Sequence, residues 1–262
     1  MENPRIIDLH EDLLLHINHL DLWGGKKQTS YEQLRKNGVR ITFATAFPFP
    51  PEENYFNPIT NDLIEQDFKD YVKHCETNPE WQLIKNASDL QAVIDQKNKT
   101  AIIMHIEGLN IMRDVAEDWA RLDRWHALGW RSLGIVWNLT NSLGGGTKDP
   151  VQGLTPLGKK MIEWLEKRRM VIDFAHMNAP TFKDASRLVK GPILVSHGNA
   201  CTICQNPRNY TDEQLKRVAA SNGVVGTFFA KTFLTGDRPA EINDVVEHIT
   251  HLKKVMGIDH VA

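Results

Sequence analysis

The chain has 262 residues, of which 41% are hydrophobic and 24% charged, and its formal net charge is -2. This length and composition suit a globular protein with one barrel-sized domain or two small ones. The balanced charge provides no basic field for phosphate groups, so nucleic acid is excluded as an expected partner.

Targeting and membrane signals are not found in the sequence. No apolar run reaches the roughly 18 residues of a membrane span, and no charged segment with an apolar core precedes the first predicted strand. Three cysteines, an odd number, argue against a disulfide framework. We therefore expect a cytoplasmic protein with no membrane partner.

The first half of the chain begins with a short apolar run at Ile6 that ends in alternating polar residues. A helical or looped segment is expected over 13–22, a β-branched strand over 38–45 and a proline loop at 48–51. Helical periodicity predicts a helix over 61–77, and Ser88 with Gln91 resembles a capping box that opens the next helix. The apolar run 101–106 indicates a strand buried on both faces.

In the second half, strands and helices alternate regularly. Helices are predicted over 113–128, 156–169, 180–189, 212–220 and 240–256, and strands over 132–137, 170–175, 192–196 and 223–229. Thr155-Pro156 is typical of an N-cap followed by proline in the first helical position. Seven strands, with the start of an eighth at 257–262, predict a parallel (β/α)8 barrel. A doubly wound open sheet ranks second, because no Gly-rich turn follows the first strand.

Metal-ligand residue types collect at the C-terminal ends of the predicted strands, where barrels place their active sites. The first strand ends in His10 and Asp12, the third in Glu107, and the fifth and sixth in His176 and His197. Each of them alone could be a core histidine or a turn-capping carboxylate. Their coincidence on four strands favours a metal site, in which a central carboxylate could bridge two cations.

The order of six motifs carries a more specific signal. H-x-D, I-E-G, G-L-T-P-x-G, D-x-A-H, S-H and N-x-R-N occur at 10–12, 106–108, 153–158, 173–176, 196–197 and 206–209. This order resembles the membrane (renal-type) dipeptidase family, the M19 metallopeptidases of the amidohydrolase superfamily. The resemblance implies a TIM-like barrel of the metal-dependent hydrolase type. It also implies hydrolysis of dipeptides through a hydroxide bound by two zinc ions (Zn²⁺).

The resemblance also implies roles for individual residues. His10 and Asp12 would bind one zinc, His176 and His197 the other, and Glu107 would bridge them. Glu107, His176 and His197 would thus be the catalytic centre. Arg208, in N-x-R-N, would hold the terminal carboxylate of the substrate through its bidentate guanidinium.

Two departures from the family pattern leave alternatives open. The family's T-H-N-like segment is replaced by Trp137-Asn138, which we expect to contact the substrate, although an indole N–H carries no charge. The substrate could then be another amide or ester, such as an N-acyl amino acid or a lactone. The chain also stops at Ala262, before a G-S-D-F-D-G stretch whose first Asp is catalytic in the family.

This ending predicts a single hydrolase barrel domain over 1–262 that is truncated, with its eighth strand lacking or incomplete. A catalytically impaired remnant is therefore a further alternative, and the unpaired strand edges leave a homodimer open. Of the weaker signals, Cys201 and Cys204 suggest loop packing, and Gly144-Gly145-Gly146 suggests a mobile active-site loop. His105 is left undecided between supporting the site and filling the barrel interior.

Overall fold

The computed structural model of the protein describes residues 6–13, 29–46, 61–96 and 98–262. The chain forms two compact units, Met1–Leu133 and Gly134–Ala262, here called the N-terminal and C-terminal units. The segment predicted over 13–22 lies outside the described residues except for Leu13, and so does the proline loop at 48–51. The single truncated domain remains a prediction.

The N-terminal unit is built on parallel strands. Its strands are β1 (Ile6–Glu11), β2 (Val39–Ala46), β3 (Trp81–Leu83), β4 (Thr100–Glu107) and β5 (Trp130–Gly134). The last of these strands ends at the boundary between the two units. The helices of the N-terminal unit are α1 (Tyr31–Lys36), α2 (Asn61–Thr77), α3 (Ala87–Asp95) and α4 (Ala116–Leu128). β2 pairs with both β1 and β4, and β3 pairs with the other side of β4. Every residue of β4 is buried, as the apolar run 101–106 predicts.

One helix start in this unit differs from the prediction. The capping box at Ser88 and Gln91 is wrong, because Asn86 is the N-cap of α3 and Ser88 lies inside the helix. The Asn86 side chain accepts from Asp89 N at 3.1 Å, and the Asp89 carboxylate accepts from Asn86 N at 3.2 Å. The box therefore uses an Asn–Asp pair placed two residues earlier.

The C-terminal unit continues the alternation. Its strands are β6 (Val171–Asp173), β7 (Leu194–Gly198) and β8 (Val224–Thr227); its helices are α5 (Pro156–Lys167), α6 (Ala179–Leu188), α7 (Asp212–Ala220), α8 (Lys231–Leu234) and α9 (Ile242–Met256), with a 3-10 turn at Ile258–His260. β7 pairs in parallel with β6 and β8. Thr155 caps α5 as predicted by accepting from Gly158 N at 3.0 Å. All five helices predicted in the second half are present, with ends shifted by a few residues.

Three strands, β5, β6 and β8, end earlier than their apolar runs predict. β6 stops at Asp173, whose Oδ1 accepts a hydrogen bond from Ala175 N at 3.0 Å and so turns the chain out of the ladder. Its last predicted residues, like His176, therefore lie in a turn. At the predicted start of a further strand, Val261 forms a parallel bridge with Val225, and Ala262 N donates to Val225 O at 2.9 Å.

Candidate metal centre

In the N-terminal unit, β1 and β4 bring three of the predicted ligands together. His10 lies in β1, Asp12 directly follows that strand, and Glu107 is the last residue of β4. His10 Nε2 is 3.4 Å from Asp12 Oδ1 and 3.8 Å from Glu107 Oε1. Imidazole and carboxylate at these separations form a donor set that suits a divalent metal such as zinc.

The same end of β1 carries further carboxyl groups. Asp8 Oδ1 accepts from the backbone N–H of His10 at 3.1 Å. Burial raises the pKa of Asp8, and burial together with the neighbouring Asp8 raises the pKa of Glu11 to about 7. A bound cation would offset the cost of gathering these carboxyl groups in one place.

His105 packs against this group from inside the sheet. It is completely buried, its Nδ1 lies 2.8 Å from Ser132 Oγ, and its ring meets the His10 ring edge-on with 5.8 Å between centroids. The sequence left two roles open for His105. His105 has both roles, because it lies in the interior of the N-terminal unit and also packs against the ring of His10.

In the C-terminal unit, His176 and His197 face each other, with 3.0 Å between their Nε2 atoms. On the other side of His197, its Nδ1 lies 2.8 Å from Ser196 Oγ, and that hydroxyl donates to Asp173 Oδ2 at 2.5 Å. A hydroxyl has one proton, which Ser196 gives to the carboxylate, so its oxygen accepts from Nδ1–H of His197. The Nε2 atom of His197 then carries the lone pair.

The ring of His176 is fixed in the same tautomer. Its Nδ1 is 2.8 Å from Asn138 Oδ1, an oxygen that also accepts from Thr147 Oγ1 at 3.2 Å. Because an amide oxygen only accepts, Nδ1 of His176 is the donor and Nε2 carries its lone pair. Two lone pairs 3.0 Å apart repel each other unless a cation, either a proton or a metal ion, lies with them. This arrangement fits a metal-ligating histidine pair with hydrogen-bonded outer partners.

Backbone strain accompanies this pair. His176 has φ of 65°, in the left-handed region that costs a non-glycine residue about 1–3 kcal/mol. Asp173 opposes this strain: its buried Oδ1 accepts from Ala175 N at 3.0 Å and from Ser196 N at 2.9 Å, fixing the turn that leads to His176. Sequence reasoning missed the roles of Asp173 and Ser196, although both lie in the D-x-A-H and S-H motifs.

The triple-glycine segment is packed rather than open. Gly144, Gly145 and Gly146 are buried, and Gly145 N donates to Thr181 Oγ1 at 3.0 Å. A Cβ added at Gly146 would lie 2.0 Å from the carbonyl oxygen of Trp137. The glycines therefore allow close contact between backbone segments, whereas the sequence suggested that they form a mobile loop.

The two residues of the divergent segment contact His176 in different ways. The Trp137 ring is tilted by 33° against the His176 ring, at 5.9 Å between centroids. Asn138 instead accepts from the His176 ring, as described above. The predicted contact of both residues with substrate stays a prediction.

Arg208 is buried next to the histidine pair. Its Nη2 donates to His197 O at 3.3 Å, and its backbone N donates to Asn206 Oδ1 at 2.9 Å. Its Nε has no hydrogen-bond partner, and within the described parts of the chain no acidic side chain forms an ion pair with it. A buried guanidinium in this state can bind an anion such as a carboxylate.

The sequence matches the family described as membrane dipeptidase (peptidase family M19) over residues 1–262. A protein encoded in the pqqA 5′ region of Klebsiella pneumoniae is 34% identical over 192 residues, covering 69% of this chain and 69% of that protein. An uncharacterized dipeptidase of Schizosaccharomyces pombe is 28% identical over 287 residues, covering 99% of this chain and 68% of its own length.

Two solved structures are similar over nearly the whole chain. A metallo peptidase from Rhodobacter sphaeroides, liganded with a phosphinate mimic of the dipeptide L-Ala-D-Ala, has a TM-score of 0.83 at 24% identity and covers 100% of this chain and 85% of its own. The dipeptidase AC, of family M19, has a TM-score of 0.82 at 26% identity, with 99% and 83% covered. These likenesses confirm the predicted α/β barrel fold of the metal-dependent hydrolase type.

Among the described residues, no helix is both long enough and apolar enough to cross a bilayer. The family match extends over the full sequence and includes all six motifs that first suggested it. The chain belongs to the membrane dipeptidase family, peptidase family M19, and is a hydrolase of the metallo-dipeptidase type.

Proposed function

We propose that the chain is a zinc-dependent dipeptidase that uses two Zn²⁺ ions to hydrolyse dipeptides with a free C-terminal carboxylate. The observation that carries the proposal is the His176–His197 pair, with Nε2 atoms 3.0 Å apart and both rings fixed as Nδ1–H tautomers. The phosphinate dipeptide mimic bound by the Rhodobacter sphaeroides peptidase supports the substrate class.

The proposed ligand assignment follows the motif order of the family. His176 and His197 would hold one ion, His10 and Asp12 the other, and Glu107 would bridge them. Imidazole nitrogens with carboxylate oxygens favour zinc over magnesium or calcium, which prefer all-oxygen sites. Bound zinc would supply Lewis acidity toward a peptide carbonyl and toward water.

The remaining residues would bind and orient the substrate and the ligands. Arg208 would hold the substrate's carboxylate, and its burial together with an Nε that has no hydrogen-bond partner among the described residues supports this assignment. Ser196 and Asn138 would keep the two imidazole rings in the ligating tautomer. Trp137 would contribute one indole N–H and a large apolar face.

The test is to measure zinc content and hydrolysis on the same preparation of the chain. We expect about two zinc ions per chain, and hydrolysis of Ala-Ala that falls at least about tenfold for its C-terminal amide, because Arg208 loses its charged partner. Arg208→Met should remove the difference between the acid and the amide, whereas the exposed Arg187→Met should retain it. Full zinc occupancy without hydrolysis of any dipeptide would overturn the proposal.

A second candidate function keeps the metal site and changes the substrate. It is favoured by the Trp137 ring, which lies 5.9 Å from that of His176 where the family pattern has a histidine in sequence. N-acyl amino acids and lactones compared with dipeptides on one preparation separate the two. We also propose a cytoplasmic location, which the three free cysteines support.

A further inference from the structure

Two phenylalanines of the C-terminal unit form an aromatic pair beside the histidines. Phe228 directly follows β8, and Phe233 lies in α8. Their rings stack with 5.2 Å between centroids and 22° between planes. Both side chains are only half-buried, so part of the pair is accessible to a ligand.

The pair extends from a proposed metal ligand to the proposed carboxylate-binding residue. The Phe228 ring packs edge-on against the His197 ring at 4.9 Å between centroids. The Arg208 guanidinium carbon lies 5.8 Å from the centre of the Phe233 ring, within range of a cation–π contact.

Buried asparagines fix the backbone of both phenylalanines. Asn199 Nδ2 donates to Phe228 O at 2.7 Å, and its Oδ1 accepts from Phe228 N at 3.2 Å. Asn209 Nδ2 donates to Phe233 O at 2.8 Å. Asn199 follows His197 by two residues and Asn209 directly follows Arg208, so the chain segments that carry the site residues also position the rings. Rings held in this way are preorganised for contact with a ligand.

We infer that Phe228 and Phe233 are specificity-determining residues that select dipeptides with an apolar C-terminal side chain. The inference rests on the proposed function, which places the scissile carbonyl near His197 and the terminal carboxylate at Arg208. The C-terminal residue of the dipeptide lies between those two points, alongside the aromatic pair. An apolar side chain gains from contact with the rings, whereas a charged one loses hydration there without a partner.

The test measures kcat/KM for Ala-Gly, Ala-Ala, Ala-Leu, Ala-Phe and Ala-Asp, together with the zinc content of each variant. The wild-type protein should prefer Ala-Leu to Ala-Gly by about tenfold or more and should disfavour Ala-Asp. Phe228→Ala and Phe233→Leu should each reduce this preference severalfold. Phe229→Ala is the matched control, because that neighbouring side chain is 70% exposed, and it should leave the preference unchanged.

The outcomes separate this inference from the proposed function. Hydrolysis of all five dipeptides without an apolar preference would overturn the inference and leave the dipeptidase in place. Hydrolysis of none of them would count against the dipeptidase itself. Phe233→Leu does not alter the contact with His197, so an unchanged preference in a zinc-loaded Phe233→Leu protein also contradicts the inference. An equal rise in KM for every substrate in Phe233→Leu would also contradict the inference, because the Phe233 ring would then act only by positioning Arg208.

Discussion

Both compact units offer imidazoles as candidate metal ligands but hold them by different means. In the N-terminal unit, His10 contacts the carboxylates of Asp12 and Glu107 directly, at 3.4 and 3.8 Å. In the C-terminal unit, each imidazole has a hydrogen-bond acceptor at Nδ1: Ser196 for His197 and Asn138 for His176. In the first arrangement the imidazole lies directly against carboxylates, whereas in the second a hydrogen-bond acceptor at Nδ1 fixes the orientation of each ring.

The largest effect should come from removing a proposed ligand. His197→Ala should weaken zinc binding by more than about 100-fold, because the loss of a ligand exceeds the 10–100-fold cost of losing an outer partner. Zinc affinity is measured by competition with a chromogenic chelator. His10→Ala gives the corresponding loss in the N-terminal unit. If either variant retains wild-type affinity for two ions, that residue is not a ligand.

A smaller effect should distinguish the two ways of holding ligands. Asp173→Asn should lower zinc affinity by about 10–100-fold, since the carboxylate fixes Ser196 and through it the His197 tautomer. Asp8→Asn should have a smaller effect, because the hydrogen bond from His10 to Asp8 is donated by the backbone N–H. The exposed Asp237→Asn is the control. Equal losses of zinc affinity in Asp8→Asn and Asp173→Asn would mean that the hydrogen bonds from Asp173 through Ser196 do not orient His197 for zinc binding.

Close packing around the proposed ligands of the C-terminal unit gives a third test. Gly146→Ala places a methyl group 2.0 Å from the Trp137 carbonyl oxygen and should lower the free energy of unfolding by about 1–3 kcal/mol, measured in urea. Gly191→Ala is the matched substitution, because nothing lies within 4 Å of its added Cβ. If Gly146→Ala is as stable as Gly191→Ala, the segment is not rigidly packed.

The smallest effect concerns pH. Buried His248 accepts from Ala200 N at 3.1 Å, and burial lowers its pKa below the usual value of about 6.5. Below about pH 6.5 this histidine binds a proton in the unfolded chain more readily than in the folded one. The contribution of His248 to the free energy of unfolding is therefore complete above about pH 6.5 and falls as pH decreases, by at most about 1.4 kcal/mol per pH unit. His248→Gln should reduce this dependence between pH 5 and 7 in urea titrations. If the pH dependence of stability is unchanged in His248→Gln, other groups are responsible for it.

Much of the fold could be predicted because its signals are local. The helices of the C-terminal unit have caps and apolar periodicity, such as Thr155-Pro156 at α5, and β4 reads directly as a buried apolar run. β3 was missed because three residues are too few to show a period. The Asn86 cap was missed because Ser88 offered a similar signal two residues later.

The candidate site could be predicted only as a set of residue types. Strand ends indicated His10, Glu107, His176 and His197, because parallel strands deliver their C-terminal residues to one edge. The links from Asp173 through Ser196 to His197, and from Asn138 to His176, join residues 23 and 38 positions apart. No local pattern encodes such a pairing, and neither does the close approach that requires glycine at position 146.

The left-handed backbone of His176 limits how far the stability of this protein can be raised by substitution. Glycine or asparagine adopts φ of 65° at lower cost, so His176→Gly or His176→Asn would relieve the backbone strain while removing a proposed ligand. Relief of this strain is therefore in conflict with keeping the proposed ligand at this position. Directed evolution of the protein for heat resistance therefore needs a screen for hydrolysis alongside the heat challenge, because a variant that relieves the strain at position 176 loses a proposed ligand.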